Sequence, residues 1–240
     1  MPRVALFVTC LVDRFFPHVG EAAVRVLRRV GVSPEFPDAQ TCCGQPMYNT
    51  GYAAEAKEVA KHHLGVFEGY DHIVCPSGSC TSMTKIFTPD LFRDEPEWAE
   101  RARRVAARTY ELSDYLVTVL GREDVGAKFP AKVTYHDACH ALRELRVREG
   151  PRRLLKAVKG LEYVELDGAD ECCGFGGTFS VKMADLSTAI LEKKMRKIAA
   201  SGAEVLTAVD SSCLMQMAGG LSRAGHKIRP LHLAEILACT

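Results

Sequence analysis

Eight of the ten cysteines in this 240-residue chain fall into two series with the same internal order. The first is Cys10, then Cys42-Cys43-Gly44, then Cys80; the second is Cys139, then Cys172-Cys173-Gly174, then Cys213. Matching cysteines are offset by 129, 130 and 133 residues. Three features recurring in order at a nearly constant offset mark a duplicated unit. Four thiolates per unit are a soft donor set, which selects zinc, cuprous copper or an iron–sulfur cluster. Structural zinc usually takes Cys-x2-Cys knuckles, whose turn brings two sulfurs onto one ion. Adjacent cysteine side chains tend to diverge, which suits a multi-iron centre better, and four thiolates are a common complement for such a cluster. The bland alternatives are buried core thiols, zinc in one or both units, or a thiol–disulfide sensor built on the adjacent cysteines.

Glycines accompany the cysteine pairs. Gly44 follows the first pair, and Gly174, Gly176 and Gly177 follow the second. Glycine lets the backbone approach a bulky anionic group and adopt positive φ. Its amides can donate to cluster sulfurs, which raises the reduction potential. These four glycines are therefore the expected backbone contacts of a bound centre.

The elements that must position these residues alternate. Short apolar, β-branched runs read as buried strands at Val4–Val8, His72–Val74, Val133–Tyr135, Tyr163–Leu166 and Val205–Val209. Between them lie helical stripes: Val19, Ala23, Val26, Leu27 and Val30; Ala56, Val59, Ala60, His63, Leu64 and Phe67; Trp98, Ala102, Val105 and Ala106; Leu186, Ile190, Leu191 and Ile198. The pattern predicts an α/β fold of two homologous strand–helix repeats. Each has a mostly parallel sheet flanked by helices, and a pseudo-twofold relates them. The repeats are assigned to residues 1–125 and 126–240, with a Gly-, Pro- and charge-rich seam over Gly121–Ala131. Cys10, Cys80, Cys139 and Cys213 each follow a strand run. That places them at the carboxyl edge of a sheet, where α/β proteins bind ligands and helix N-termini point amides at negative charge.

Composition narrows the function. A net charge of +1 argues against the salt-dependent polyanion binding of a nucleic-acid protein. No apolar run reaches the roughly 20 residues needed to span a bilayer. The apolar N-terminal stretch is short for a signal peptide, so a cytoplasmic protein is the expectation, and there repeated cysteines serve metal or redox sites more often than disulfides. A Gly-x-Gly-x-x-Gly after a strand, a P-loop and the compact ferredoxin cysteine run are all missing. Hydride chemistry would therefore draw on carriers held by a partner.

Other polar residues have two readings each. His136, Asp137 and His140 flank Cys139; they either move protons or ligate beside a centre, or satisfy loop amides at a strand end. Cys75 is a spare ligand or a packed thiol, and Cys239 is incidental. His18, His62, His63 and His72 read as surface or packing residues. The arginine runs at Arg101, Arg103, Arg104 and Arg108, and at Arg143, Arg146, Arg148, Arg152 and Arg153, read as solvated helix faces, with docking to an acidic partner as the alternative.

The segments Phe7-Val8-Thr9-Cys10, Thr41-Cys42-Cys43-Gly44-Gln45-Pro46, Gly78-Ser79-Cys80, Asp94-Glu95-Pro96-Glu97-Trp98-Ala99 and Cys172-Cys173-Gly174-Phe175-Gly176-Gly177-Thr178-Phe179-Ser180-Val181-Lys182-Met183 carry a further signal. They resemble the family bearing the cysteine-rich CCG domain, over nearly the whole chain. Its pattern is a cysteine, a long gap, Cys-Cys-Gly, a similar gap, then Cys-x2-Cys. Members include the cysteine-rich component of heterodisulfide reductase, the iron–sulfur component of glycolate oxidase, the membrane-anchoring component of anaerobic glycerol-3-phosphate dehydrogenase, and short lactate-utilization proteins, to which this chain is most similar.

The resemblance implies a 4Fe-4S-type cluster in each repeat, held by Cys10, Cys42, Cys43 and Cys80 and by Cys139, Cys172, Cys173 and Cys213, with zinc as the alternative at the first site. It implies an iron–sulfur electron-transfer subunit of an L-lactate-oxidising complex, glycolate being the near alternative. The implied partners are a ferredoxin-like iron–sulfur subunit and a further lactate-utilization subunit. A zinc-stabilised scaffold without redox role is the contrasting class. One departure stands out: the closing Cys-x2-Cys is incomplete in both repeats, with Ser77 three before Cys80 and Asp210 three before Cys213.

Overall fold

The computed structural model describes residues 2–240. In the first half, β1 (Val4–Leu6), β2 (His72–Cys75) and β3 (Thr109–Glu111) form a parallel sheet in that spatial order. In the second half, β4 (Lys132–Tyr135), β5 (Glu162–Val164), β6 (Val205–Ala208) and β7 (Arg229–His232) form a parallel sheet ordered β5-β4-β6-β7. The first sheet carries a trace of the same fourth position. Glu35 bridges Ala5, with the Leu6 amide donating to the Glu35 carbonyl at 2.8 Å and the Glu35 amide donating to the Val4 carbonyl at 2.8 Å. Glu35 thus occupies the place of β5, and the two halves share one topology. The α/β repeat architecture expected from the sequence is the one observed.

The central strands are buried along most of their length because both sheet faces are covered. Val4, Ala5, Leu6 and Phe7 are buried, as are all four residues of β6. Two edge strands escape the sequence reading. Thr109-Tyr110-Glu111 is short and polar, and Arg229-Pro230-Leu231-His232 contains a proline, which is tolerated only at an edge where one side of the ladder is free. The helices Pro17–Arg29, Ala53–Phe67, Pro96–Ala107 and Ala184–Ala200 supply the covering stripes. In the last of these the expected face needs correction. Leu186 is 51% exposed, and the buried stripe is Ser187, Leu191, Lys194, Met195 and Ile198. The helix is turned so that Ser187 meets Gly174: its hydroxyl donates to the Gly174 carbonyl at 2.7 Å.

The halves are joined through one continuous core containing Val26, Leu27 and Tyr115 from the first and Val133, Leu155 and Leu237 from the second. The Pro17–Arg29 helix packs on the C-terminal helix Leu233–Ala238. Arg29 donates to the carbonyls of Leu237 at 2.8 Å and Ala238 at 2.7 Å, satisfying orphan acceptors at the negative end of that helix. Near the sheet edges, the Gly78–Ser82 helix packs on Cys139–Arg143, and Cys10–Phe15 packs on Ser211–Arg223. These are one contact with the repeats exchanged, as a pseudo-twofold requires. Gly78 is needed there, since a Cβ on it would lie 2.6 Å from Ala141 Cβ of the other repeat.

Glycine substitutions test this packing. Gly78→Ala is expected to cost about 1–3 kcal/mol in urea unfolding, through overpacking between the repeats. Gly65→Ala, inside the Ala53–Phe67 helix with nothing within 4 Å of the added carbon, is expected to be neutral or to stabilise by up to about 1 kcal/mol. A separate outcome concerns acid. His232 is buried and caps the final helix, its Nδ1 accepting the Ala234 amide at 3.1 Å. Burial pulls its pKa from 6.5 down to about 4. Between those values the fold binds fewer protons than the unfolded chain, so this contribution is complete above pH 6.5 and is lost as pH falls toward 4. Urea midpoints measured across that range should fall less steeply for His232→Asn, which keeps an N-cap acceptor and does not titrate.

Candidate metal centre

Four of the eight repeated cysteines sit where a strand passes into a helix. Cys10 opens the helix after β1, whose N-cap Thr9 accepts the Val12 amide at 3.4 Å. Cys80 follows β2 in the Gly78–Ser82 helix, its amide donating to the Ser77 hydroxyl at 3.3 Å. Cys139 opens the helix after β4, and Cys213 lies in the first turn of the helix after β6, which Asp210 caps. The positive ends of these helices face the same region as the thiols, and partial positive charge there favours sulfur anions.

The Cys-Cys-Gly turns bring in the other four. Gly44 has φ +89° and Gly174 φ +87°, a left-handed backbone that a side chain would strain. At Gly174 space is excluded as well, because a Cβ would lie 2.5 Å from the Ser187 carbonyl oxygen. The turns aim amides at sulfur. Gly44 N–H donates to Cys42 Sγ at 3.5 Å, and Gly174 N–H donates to Cys172 Sγ at 3.3 Å.

All eight cysteines line one cleft of about 410 Å³ between the repeats, together with Gly176, Gly177 and Phe175. Gly44 and Gly174 act from behind the sulfurs. Cys10 and Cys42 Sγ are 3.8 Å apart. That is the sulfur–sulfur edge expected when two thiolates share one tetrahedral metal atom with bonds of about 2.3 Å. Cys42 is held below the usual thiol range by hydrogen bonds from Cys10 and Cys43, with the Gly44 amide adding to them. Cys10 and Cys43 are pushed up, first by their hydrogen bonds to Cys42, with burial adding to this at Cys43. Cys172 is lowered by Cys139 and Cys173 in the same way, and those two are raised. Each repeat thus favours a thiolate at the first cysteine of its adjacent pair, and a metal would displace the protons of Cys10, Cys43, Cys139 and Cys173.

A buried basic side chain backs each group. Lys194 is 1% exposed and donates to the carbonyls of Gly168 at 2.7 Å, Ala169 at 3.0 Å and Glu171 at 3.0 Å, clamping the loop that leads into Cys172. Burial lowers its pKa to about 8, opposed chiefly by the field of Cys173. In the first repeat the buried His63 stands near Cys42, its Nε2 3.1 Å from Thr84 Oγ1, and burial holds it neutral with a pKa of about 4. Sequence pattern marks His63 only as a packing residue and does not single out Lys194. They stand 19 and 20 residues after Gly44 and Gly174, and that near-equal spacing is the signal that could have found them.

The residues that interrupt the closing motif bond to each other across the repeats. Asp210 Oδ2 accepts the Ser79 amide at 2.7 Å and the Ser77 hydroxyl at 3.3 Å. Its Oδ1 accepts the Ser212 amide at 3.1 Å and hydroxyl at 2.5 Å. One carboxylate therefore positions the helix starts of Cys80 and Cys213 together.

The remaining candidates separate cleanly. Asp137 forms a buried bidentate pair with Arg152, at 2.8 Å to each nitrogen, and Arg152 also reaches Glu165 at 2.6 Å. His140 lines the cleft with Nδ1 3.2 Å from the Glu144 carboxylate. His136 is buried without a hydrogen-bond partner on either nitrogen. Cys75 is packed in the first-repeat core away from the cleft lining, and Cys239 donates to the Glu235 carbonyl at 3.3 Å. The arginine runs are largely satisfied internally, as by Arg101 with Glu68 at 2.9 Å and Arg153 with Glu123 at 2.7 Å.

Comparison with known proteins matches the sequence that builds this site to a family. The cysteine-rich domain model CCG matches residues 4–85 and 133–218. Lactate utilization protein A of Geobacillus thermodenitrificans (strain NG80-2) is 51% identical over 235 residues, covering 98% of each chain. That of Bacillus subtilis (strain 168) is 48% identical over 235 residues, again with 98% of each covered. That of Exiguobacterium sp. (strain ATCC BAA-1283 / AT1b) is 52% identical over 239 residues, covering 99% of this chain and 97% of the relative. Among solved structures, an aspartate racemase homologue from Pyrococcus horikoshii OT3 overlaps 99% of this chain and 96% of its own at a TM-score of 0.35 and 14% identity, too loose a match to inform the site. With both cysteine series inside the matched segments and near-complete relatives at about half identity, the chain belongs to the cysteine-rich CCG domain family.

Proposed function

We propose that this chain is the iron–sulfur electron-transfer subunit of a complex that oxidises L-lactate to pyruvate, built of two repeats, 1–125 and 126–240. The observation that carries the reading is the convergence of two four-thiol groups on one cleft, in a chain about half identical to proteins named for lactate utilization. Lactate oxidation releases two electrons and two protons. When bound, iron–sulfur clusters supply one-electron acceptors for such a reaction.

The chain's own residues hold and tune. Cys10, Cys42, Cys43 and Cys80 would hold one centre, and Cys139, Cys172, Cys173 and Cys213 the other. The Gly44 and Gly174 amides, donating to sulfur, favour the reduced state. Lys194 places a cation behind Cys173 and acts in the same direction. Leu11, Pro46 and Phe175 give the cleft apolar walls that lower its polarity. The chain has no nicotinamide or flavin motif. Electrons therefore pass to or from partners, assigned as a ferredoxin-like iron–sulfur subunit and a further lactate-utilization subunit, in the cytoplasm. A second reading concerns the first site alone: the 3.8 Å Cys10–Cys42 separation equally suits a single zinc ion.

Anaerobically purified protein, with Cys43→Ser and Cys173→Ser variants, tests both readings by iron, sulfide and zinc analysis beside the visible spectrum. The expected result is a brown protein that bleaches on reduction, with each variant losing roughly half of the iron and sulfide. Should Cys173→Ser abolish all iron while Cys43→Ser loses only zinc, the second reading holds. Colourless protein with stoichiometric zinc at both sites would overturn the redox function.

A further inference from the structure

The two repeats differ at a position directly behind their thiols. Counted back from the first cysteine of each series, Phe7 corresponds to His136. Phe7 is an ordinary core residue, its ring 4.7 Å from His63 and 5.2 Å from Phe67. His136 is equally buried, at 0% exposure, yet neither ring nitrogen has a hydrogen-bond partner. An unpaired buried polar group is destabilising, so an imidazole here needs a reason that a phenyl ring does not.

Its surroundings supply one. The backbone carbonyl of Ala169 faces the ring, although it already accepts the Asp137 amide at 3.0 Å. A ring nitrogen of His136 and the sulfurs of Cys173 and Cys213 all lie within 4.8 Å of one another. Around one tetrahedral metal atom with bonds of about 2.0–2.1 Å to nitrogen and 2.3 Å to sulfur, the nitrogen–sulfur and sulfur–sulfur edges are close to 3.6 and 3.8 Å. The three donors therefore stand within about an ångström of a shared coordination sphere. A metal-bound imidazole ordinarily directs its other nitrogen at a carbonyl or carboxylate, the position that Ala169 takes.

We propose that the His136 imidazole is a ligand of the second repeat's metal centre, supplying the donor that the interrupted closing motif fails to provide. The proposal rests on the reading of Cys139, Cys172, Cys173 and Cys213 as a metal site. Asp210 does not compete for the role, because both its oxygens are committed to Ser77, Ser79 and Ser212. The two centres are then chemically unequal: the first repeat offers sulfur alone, the second sulfur and nitrogen. A neutral nitrogen in place of an anionic sulfur raises the reduction potential, as in Rieske centres. The second repeat accordingly carries the more readily reduced centre.

Cobalt(II) tests this whatever the native metal, since its ligand-field and charge-transfer bands distinguish sulfur from mixed sulfur–nitrogen ligation. The full chain, stripped of metal and kept reduced, is titrated with cobalt in a Cys10→Ser/Cys43→Ser background that disables the first site. Mixed-ligand bands are expected there. Adding His136→Phe, which copies the residue at the equivalent place in the first repeat, should weaken cobalt binding about tenfold or more and shift the bands toward a sulfur-only pattern. X-ray absorption of the cobalt-loaded parent reads the nitrogen without touching His136, so the test survives a variant that folds poorly. Unchanged bands and affinity in His136→Phe, or a first shell of sulfur alone in the parent, would overturn the ligand assignment. Failure of the unmutated chain to form any cobalt–thiolate band would instead overturn the underlying reading of the cysteines.

Discussion

Four thiols gathered on one side of a shared cleft cannot all ionise without compensating charge, and the architecture around the cleft is an answer to that constraint. Hydrogen bonding within each group favours the proton-free form at Cys42 and at Cys172, and the protonated form at the thiols that donate to them, Cys10 and Cys43 in one repeat and Cys139 and Cys173 in the other. Everything else nearby lowers the cost of further negative charge. Helix starts follow β1, β2, β4 and β6, the Gly44 and Gly174 amides point at sulfur, and Lys194 stands behind the second group. A metal cation or cationic cluster would complete the balance. A parallel sheet is suited to this task because every strand ends on the same side and hands its chain to a helix N-terminus there.

Duplication gives two such sites and a single body to hold them. The join is reciprocal: each repeat's first post-strand helix packs on the other's second, and Asp210 ties the loops of Cys80 and Cys213 through one carboxylate. The two sites therefore share one buried, hydrogen-bonded group, whose loss would leave the Ser79 and Ser212 amides unpaired. Within that symmetry the repeats have diverged where chemistry is tuned. His63 is neutral where Lys194 is a buried amine with a pKa near 8, and Phe7 is inert where His136 carries two free nitrogens.

Much of this was legible in the residues. The cysteine series, the repeat and the central strands announce themselves because spacing and continuous apolar runs are local properties. What stayed hidden depends on packing. β3 is three residues long and buries the polar Thr109 and Glu111, so no apolar run marks it, while β7 is a partly exposed edge strand in which Pro230 advertises a loop. Leu186 reads as a core residue by period, but Ser187 takes the inward face because its hydroxyl and carbonyl lie against the Gly174 turn. Asp210 reads as a broken motif and proves to be a bridge between repeats. His63 and Lys194 are both buried basic side chains but different residue types, so matching the repeats residue by residue does not pair them. Asp137, beside Cys139 in sequence, turns away from the thiols to pair with Arg152.

The central claim is that each repeat gathers its four sulfurs around a multi-atom inorganic centre. Iron K-edge X-ray absorption of anaerobically prepared protein tests it most directly, because scattering between metal atoms distinguishes a cluster from isolated ions. The account predicts iron with a sulfur-dominated first shell and a distinct iron–iron shell beyond it. A first shell with no iron–iron scattering behind it, or a preparation in which the metal is zinc alone, would contradict it.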